Sequence, residues 1–171
     1  MAATNKQVTI LLIDDSKINH LVLGRILKKE FSANVLNALN SEDAIKLYKE
    51  HYQEISIIIS DGNLGENSIK GPELCEQLIK LQLEYEKDVP IIAWTNDVSL
   101  QGGDEDFLLL ANEKRASFFA EDIIPATFKQ LSDKYQREHV FLAKPCSMED
   151  VDSVIGPIVA RVSTLSLNSN L

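Results

Sequence analysis

The sequence predicts an α/β domain with helices on both faces of a five-stranded parallel sheet. Three observations predict it. Apolar runs of strand length alternate with segments of helical period. The runs are almost wholly apolar, as strands buried on both faces are. Cap-forming residues stand where runs give way to helical segments: Ser16 before the first helix and Ser147 before the last.

Val8–Ile13 reads as a buried first strand ending on Asp14-Asp15. In the helix after Ser16, the residues Ile18, Leu21, Val22, Ile26 and Leu27 are expected to form the inward face. Asn34–Ala38 is a short second strand. The helix from Ser41 to about His51 turns Ala44, Ile45, Leu47 and Tyr48 inward. Ile55–Ser60 is a third strand that delivers Asp61 at its carboxyl end. Residues 62–71, rich in Gly, Asn and Ser, read as loop. Pro72 then suits the first turn of a helix through about Leu83, in which Cys75 is a core residue. Val89–Trp94 is the fourth strand, ending on Thr95, and His139–Ala143 the fifth, ending on Lys144-Pro145. Ser147 with Asp150 forms a capping box for a helix to about Val162. Residues 163–171 are expected to be a frayed polar tail. Between strands four and five, residues of about 97–138 form an insertion, with one helix around 104–116 and another around 125–136. Phe128, Leu131 and Tyr135 recur at helical spacing in the second, and Phe118 and Phe119 are expected to pack the insertion down.

A chain of 171 residues is one domain, here read as 1–171, and buries a sizeable core without disulfides. The formal net charge of −9 and the lack of a Lys/Arg run argue against nucleic acid as a direct ligand. Cys75 and Cys146 form no CxxC pair and fit a reducing compartment. The first apolar run is far too short to span a bilayer, and the N-terminus lacks the parts of a signal peptide. The expectation is a cytoplasmic protein without membrane contact.

Ligands of an open parallel sheet bind beyond the carboxyl ends of its strands. Here those ends carry Asp14, Asp15, Asp61, Thr95 and Lys144. Three carboxylates brought together repel one another unless a divalent cation sits among them, and magnesium suits hard oxygen ligands. A Lys ammonium and a Thr hydroxyl are donors suited to phosphoryl oxygens. One carboxylate can then act as nucleophile, because carboxylates form acyl phosphates and need no general base at neutral pH. Position selects Asp61, which alone ends the third strand. His20, His51 and His139 read as surface or packing residues.

The segments LLIDDSKINHLVLGRIL, IIISD, PIIAWT and FLAKP, in this order, resemble a response-regulator receiver domain. The resemblance implies a flavodoxin-like three-layer sandwich with strand order 2-1-3-4-5. It implies that Asp14, Asp15, Asp61 and the backbone carbonyl of Asn63 bind Mg2+, and that Asp61 is the phosphoacceptor. Thr95 and Lys144 would hold phosphoryl oxygens, and Thr95 with Phe141 would form the switch. Asn63, Asn96 and Asp97 would flank the path of attacking water, which favours a short-lived phosphoryl state. Partners implied are a histidine kinase or a histidine phosphotransfer protein, and a downstream protein not identifiable from sequence. The chain departs from the family pattern in three places. Asn96 stands where a very small residue is usual, GNLGENSIKGPEL is long and lacks a proline just after the acceptor, and the stretch between Thr95 and Lys144 is extended.

The expected function is that of a stand-alone response regulator, a signalling receiver and not a turnover enzyme. One alternative is a receiver-like interaction module that acts independently of phosphorylation. Another is a haloacid-dehalogenase-type phosphatase, disfavoured because its nucleophile belongs to a DxD on the first strand.

Overall fold

The computed structural model describes residues 7–65, 68–95, 128–138 and 140–168. Its elements are β1 (Thr9–Ile13), α1 (Lys17–Phe31), β2 (Asn34–Ala38), α2 (Ser41–His51) and β3 (Ile55–Ser60), then α3 (Gly71–Glu84), β4 (Ile91–Thr95), α4 (Phe128–Tyr135), β5 (Val140–Ala143) and α5 (Met148–Asn168). The strands form one parallel sheet in the order β2-β1-β3-β4-β5, as the sequence predicts.

The two-residue period of the strands divides the core between two layers. Ile10 and Leu12 of β1, Ile57 and Ile59 of β3, and Ile92 and Trp94 of β4 meet Leu23 and Leu27 of α1 and Val151, Ile155 and Ile158 of α5. Leu11, Ile13, Ile55 and Ile58 point the other way, onto Ala44 and Tyr48 of α2 and Leu74 and Leu78 of α3. A third cluster joins Cys75, Ala93, Phe128 and Leu131, with Phe141 and Tyr135 against it. The end of the insertion therefore packs on α3 and β4. Lys134 and Tyr135 add contacts to Glu76 at 2.6 and 3.0 Å. The helix expected over 104–116, and Phe118 and Phe119, lie outside the described residues.

Two expectations are corrected. Ile18, Leu21 and Val22 of α1 face outward, at 70%, 68% and 54% exposure. The inward stripe is His20, Leu23, Gly24 and Leu27. Two stripes of similar width compete on this helix, and hydrophobicity alone favours the wrong one because the true one contains a His and a Gly. The final helix also does not stop at Val162 but runs to Asn168. Val162 packs against the core, and the Thr164 hydroxyl donates to the Ala160 carbonyl at 2.9 Å, so a polar residue is accommodated within the helix. The capping box at its start is as expected. The Asp150 amide donates to Ser147 Oγ at 3.1 Å and the Ser147 amide to Asp150 Oδ2 at 2.7 Å. Among the described residues no helix is long and apolar enough to cross a membrane.

Candidate functional site

Parallel register brings the carboxyl ends of the strands to one edge. Ile13 pairs with Ala38 and Ser60, and Thr95 with Ala143. Two hydrogen bonds carry the ladder one residue further: the Asp14 amide donates to the Ala38 carbonyl at 3.1 Å, and the Asp61 amide to the Ile13 carbonyl at 2.8 Å. Asp14 and Asp61 therefore project side by side from adjacent strands.

Asp14 is fully buried and Asp61 is 7% exposed, while Asp15 faces solvent. Oxygens of the three carboxylates lie within 4.8 Å of one another. Lys144, delivered by the end of β5, places Nζ 2.5 Å from Asp14 Oδ2 and 2.8 Å from Asp61 Oδ2. Its ammonium also sits 4.4 Å from the centre of the Trp94 ring, a cation–π contact beneath the salt bridges.

The Asp14 carboxylate is held tightly. Oδ1 accepts from the Ser16 amide at 2.8 Å and from Asn19 Nδ2 at 3.0 Å, and Oδ2 accepts from Asn19 Nδ2 at 3.1 Å. Ser16 Oγ caps α1 by accepting from the Asn19 amide at 3.4 Å. Buried His20 donates from Nε2 to the Asp14 carbonyl at 2.7 Å, and its Nδ1 lies 2.8 Å from Asn37 Oδ1. His20 is thus a packing residue, with the added task of fixing the β1–α1 turn.

Asp61 is less constrained. Oδ1 accepts from the Asn63 amide at 3.2 Å. Burial, helped by the neighbouring Asp14 charge, raises its pKa above the ordinary 3.8 against the lowering influence of Lys144 and the Asn63 amide. The following loop is held close: the Gly71 amide donates to the Gly62 carbonyl at 3.1 Å. A Cβ on Gly71 would stand 2.0 Å from the Asp61 carbonyl oxygen, so only glycine fits where α3 meets the acidic pocket. Gly65, at φ 83°, occupies the left-handed region, and a Cβ there would approach Asp15 Oδ2 to 3.3 Å.

Thr95 is buried at the end of β4, and Phe141 is partly buried on β5 beside the Phe128 cluster. Asn96 and Asp97 lie outside the described residues. Cys146 is half-buried, and burial raises its thiol pKa, so it does not have the character of a reactive thiolate. Cys75 is buried, its pKa pushed up to about 12.

The structure thus brings together Asp14, Asp15, Asp61 and Lys144. Sequence reasoning missed the contributions of Asn19, His20, Trp94 and Gly71. A polar residue one helical turn into α1 was a usable signal for Asn19; the other three depend on contacts between elements distant in sequence. The donor set, three carboxylates of hard oxygen with one ammonium as counter-charge, suits a small divalent cation such as magnesium.

No curated protein matches the chain. Solved structures do. A response regulator receiver domain protein from Clostridium thermocellum aligns with TM-score 0.58 at 20% identity, covering 92% of this chain and 98% of that one. Chemotaxis protein CheY4 of Vibrio cholerae aligns with TM-score 0.57 at 17% identity, covering 89% and 98%. A chain in the co-crystal of the Saccharomyces cerevisiae histidine phosphotransfer signaling protein Ypd1 with the receiver domain of Ssk1 aligns with TM-score 0.56 at 18% identity, covering 90% of each. At these identities the likeness is one of fold. The family model of the response regulator receiver domain matches residues 10–105, taking in β1 to β4 and stopping short of Phe141 and Lys144. With more than half of its length matched, the chain belongs to the response regulator receiver domain family.

Proposed function

We propose that the chain acts as a response regulator that accepts a phosphoryl group on Asp61 from a phosphohistidine of a histidine kinase or a histidine phosphotransfer protein, and signals by protein contact or onward transfer. The observation that carries this reading is the meeting of three carboxylates with the Lys144 ammonium, which bridges Asp14 and Asp61 at 2.5 and 2.8 Å. Receiver domains generally bind magnesium at an acidic pocket. Here Asp14, Asp15, Asp61 and the Asn63 carbonyl would hold the ion, which neutralises charge on phosphoryl oxygens.

Asp61 attacks phosphorus through a carboxylate oxygen. The phosphorus–nitrogen bond of the donor breaks, and its electron pair leaves with the imidazole. Lys144 exchanges its contact with Asp61 for one with a phosphoryl oxygen while Trp94 supports its ammonium from below. Thr95 holds another phosphoryl oxygen, and its shift with Phe141 carries the state toward α4 and β5. The Asn63, Asn96 and Asp97 side chains would set how readily water reaches the acyl phosphate.

The outward Ile18, Leu21 and Val22 form an apolar patch on the first turns of α1, directly after Asp14-Asp15. Such a patch beside the pocket suits a donor helix that must bring its phosphohistidine to Asp61. The co-crystal of a phosphotransfer protein with a receiver supports that kind of partner.

The test is incubation with magnesium and acetyl phosphate, with intact mass as readout, for wild type and Asp61→Asn in parallel. A gain of one phosphoryl group in wild type, absent in the variant and without magnesium, is expected. Labelling that survives Asp61→Asn would overturn the assignment.

A further inference from the structure

The flank of α1 that faces β2 has properties opposite to those of the chain as a whole. An open groove of about 880 Å³ runs between them. Its sides carry Lys17, Arg25, Lys28 and Lys29, and no acidic residue lines it. The whole chain, by contrast, has 26 acidic residues against 17 Lys and Arg, for a net charge of −9. Lys17, Arg25 and Lys28 are exposed and make no ion pair among the described residues; Lys29 meets only its neighbour Glu30, at 3.1 Å.

The floor is apolar. Val35 of β2 and Leu39, just past the end of the strand, contribute to it together with Leu21 of α1. Asn37 is tied to His20 of α1, so this face looks into the helical layer of α1 and α5. Of the residues past this layer, Asn37 is exposed and Leu39 partly exposed, whereas Val35 is buried at 8% exposure.

Two local features of α1 bear on the groove, although Lys28 and Lys29 gain from the carboxyl end of the helix and Lys29 pairs with Glu30. Arg25 with Lys28 and with Lys29 sets like charges three and four residues apart, which destabilises a helix. Gly24, in the middle of the helix, is also unfavourable. An added Cβ there would meet nothing within 4 Å, so the chain's own packing does not require glycine. An acidic occupant would relieve the first feature. The second keeps the floor low enough to admit it.

We propose that the α1–β2 groove docks an acidic amphipathic helix of a partner protein, with its apolar stripe on Leu21 and Leu39 and its carboxylates toward Lys17, Arg25 and Lys28. A helix fits better than an added strand because the open surface is a sheet face in a helical layer and not the backbone edge of β2. Nucleic acid fits worse, since one short row of cations over an apolar floor is set in a strongly acidic protein. This inference goes beyond the phosphoacceptor reading and does not depend on it.

The probe is a fluorescent peptide of roughly four helical turns with a Leu stripe flanked by Glu. It is titrated into the full chain, with a version carrying Lys for Glu as control. Saturable binding that weakens from low to physiological salt is expected, with amide shifts confined to α1 and β2. Arg25→Glu with Lys28→Glu should weaken it at least tenfold, and so should Gly24→Met, which fills the floor and favours the helix. Acetyl phosphate labelling of Asp61 should be unchanged in these variants, which separates the groove from the phosphoacceptor. Lack of saturation at millimolar peptide, equal binding by the variants or by the Lys peptide, preference for an oligonucleotide, or occupation of the groove by a second copy of the chain would each overturn the proposal.

Discussion

Replacing Gly71 by alanine should break the pocket, although alanine is the better helix former. At the start of α3 the new Cβ would stand 2.0 Å from the Asp61 carbonyl oxygen, 2.7 Å from Gly62 Cα and 2.9 Å from the Asp61 carbonyl carbon. Carbon and carbonyl oxygen ordinarily approach to about 3.3 Å, so the helix start or the Asp61 carbonyl must yield by more than an ångström. All three obstacles are backbone, and no side-chain rotation relieves them. The Gly71–Gly62 hydrogen bond at 3.1 Å is lost or stretched, at about 0.5–1.5 kcal/mol. Overpacking adds about 1–3 kcal/mol, while the intrinsic helical gain of alanine is at most about 1 kcal/mol. The net expectation is destabilisation by roughly 1–3 kcal/mol, read as a lower urea midpoint at unchanged slope. Because the displaced group is the backbone of Asp61, the rate of labelling by acetyl phosphate should also fall, by about two orders of magnitude for an ångström of misplacement. Gly24→Ala is the internal control. Its Cβ meets nothing within 4 Å, and it should stabilise by about 0.5–1 kcal/mol. Equal effects of the two substitutions, or a neutral Gly71→Ala, would refute the reasoning.

Three further outcomes follow from the site. The pKa of Asp61 is raised in the fold, chiefly by burial, so between its unfolded and folded pKa values the native chain holds the extra proton. This contribution to stability is present below the unfolded value and is lost as pH rises through the folded one. Asp61→Asn should therefore be more stable than wild type at neutral pH without metal, with the gap closing on acidification in urea titrations; a gap that widens would contradict the sign. His20→Ala removes the donor to the Asp14 carbonyl and should destabilise by about 1–3 kcal/mol, with His20→Gln recovering part of the loss, both measured by urea unfolding. Trp94 is the only tryptophan and lies 4.4 Å from Lys144 Nζ, so its emission should change when magnesium and beryllium fluoride draw Lys144 away from Asp61. The change should vanish in Lys144→Ala, and an unaltered spectrum in wild type would show that Lys144 does not move.

Much of the fold is legible because buried parallel strands are written as apolar runs that need no partner to be recognised. All five strands and the edge on which their carboxyl ends converge follow from this. The rest depends on which of two surfaces an element turns inward, and the local pattern does not decide that. In α1 the true inward stripe includes His20 and Gly24, so the more apolar stripe with Ile18, Leu21 and Val22 is chosen wrongly. The extent of α5 is underestimated because polar composition hides Val162 in the core and the Thr164 hydroxyl's bond to Ala160. Within the site, Asp14, Asp15, Asp61 and Lys144 are readable as strand-end residues. Trp94 reads as an ordinary strand residue because nothing local shows that Lys144, fifty positions away, lies over its ring. Gly71 reads as the end of a permissive loop, yet it makes the closest backbone approach to the pocket. The cations of the α1–β2 groove escape notice because helical spacing separates them in the sequence.

Hydrogen bonding distinguishes the three carboxylates better than position does. Asp14 accepts two bonds on each oxygen, from Ser16, Asn19 and Lys144, which occupies the roughly four lone-pair directions of a carboxylate. It is held in one orientation, and the only direction it could free is the one Lys144 occupies, which suits holding an ion rather than attack. Asp15 faces water, and a hydrated carboxylate is a poor nucleophile. Asp61 is buried, yet among the described residues it has only the Asn63 amide on one oxygen and Lys144 on the other. Its raised pKa reflects this thin solvation. Asp61 therefore combines exclusion of water with free lone pairs. In the proposed transfer Asp14 and Asp15 serve as charge and scaffold, and a phosphoryl group mapped to either of them would contradict this division of labour.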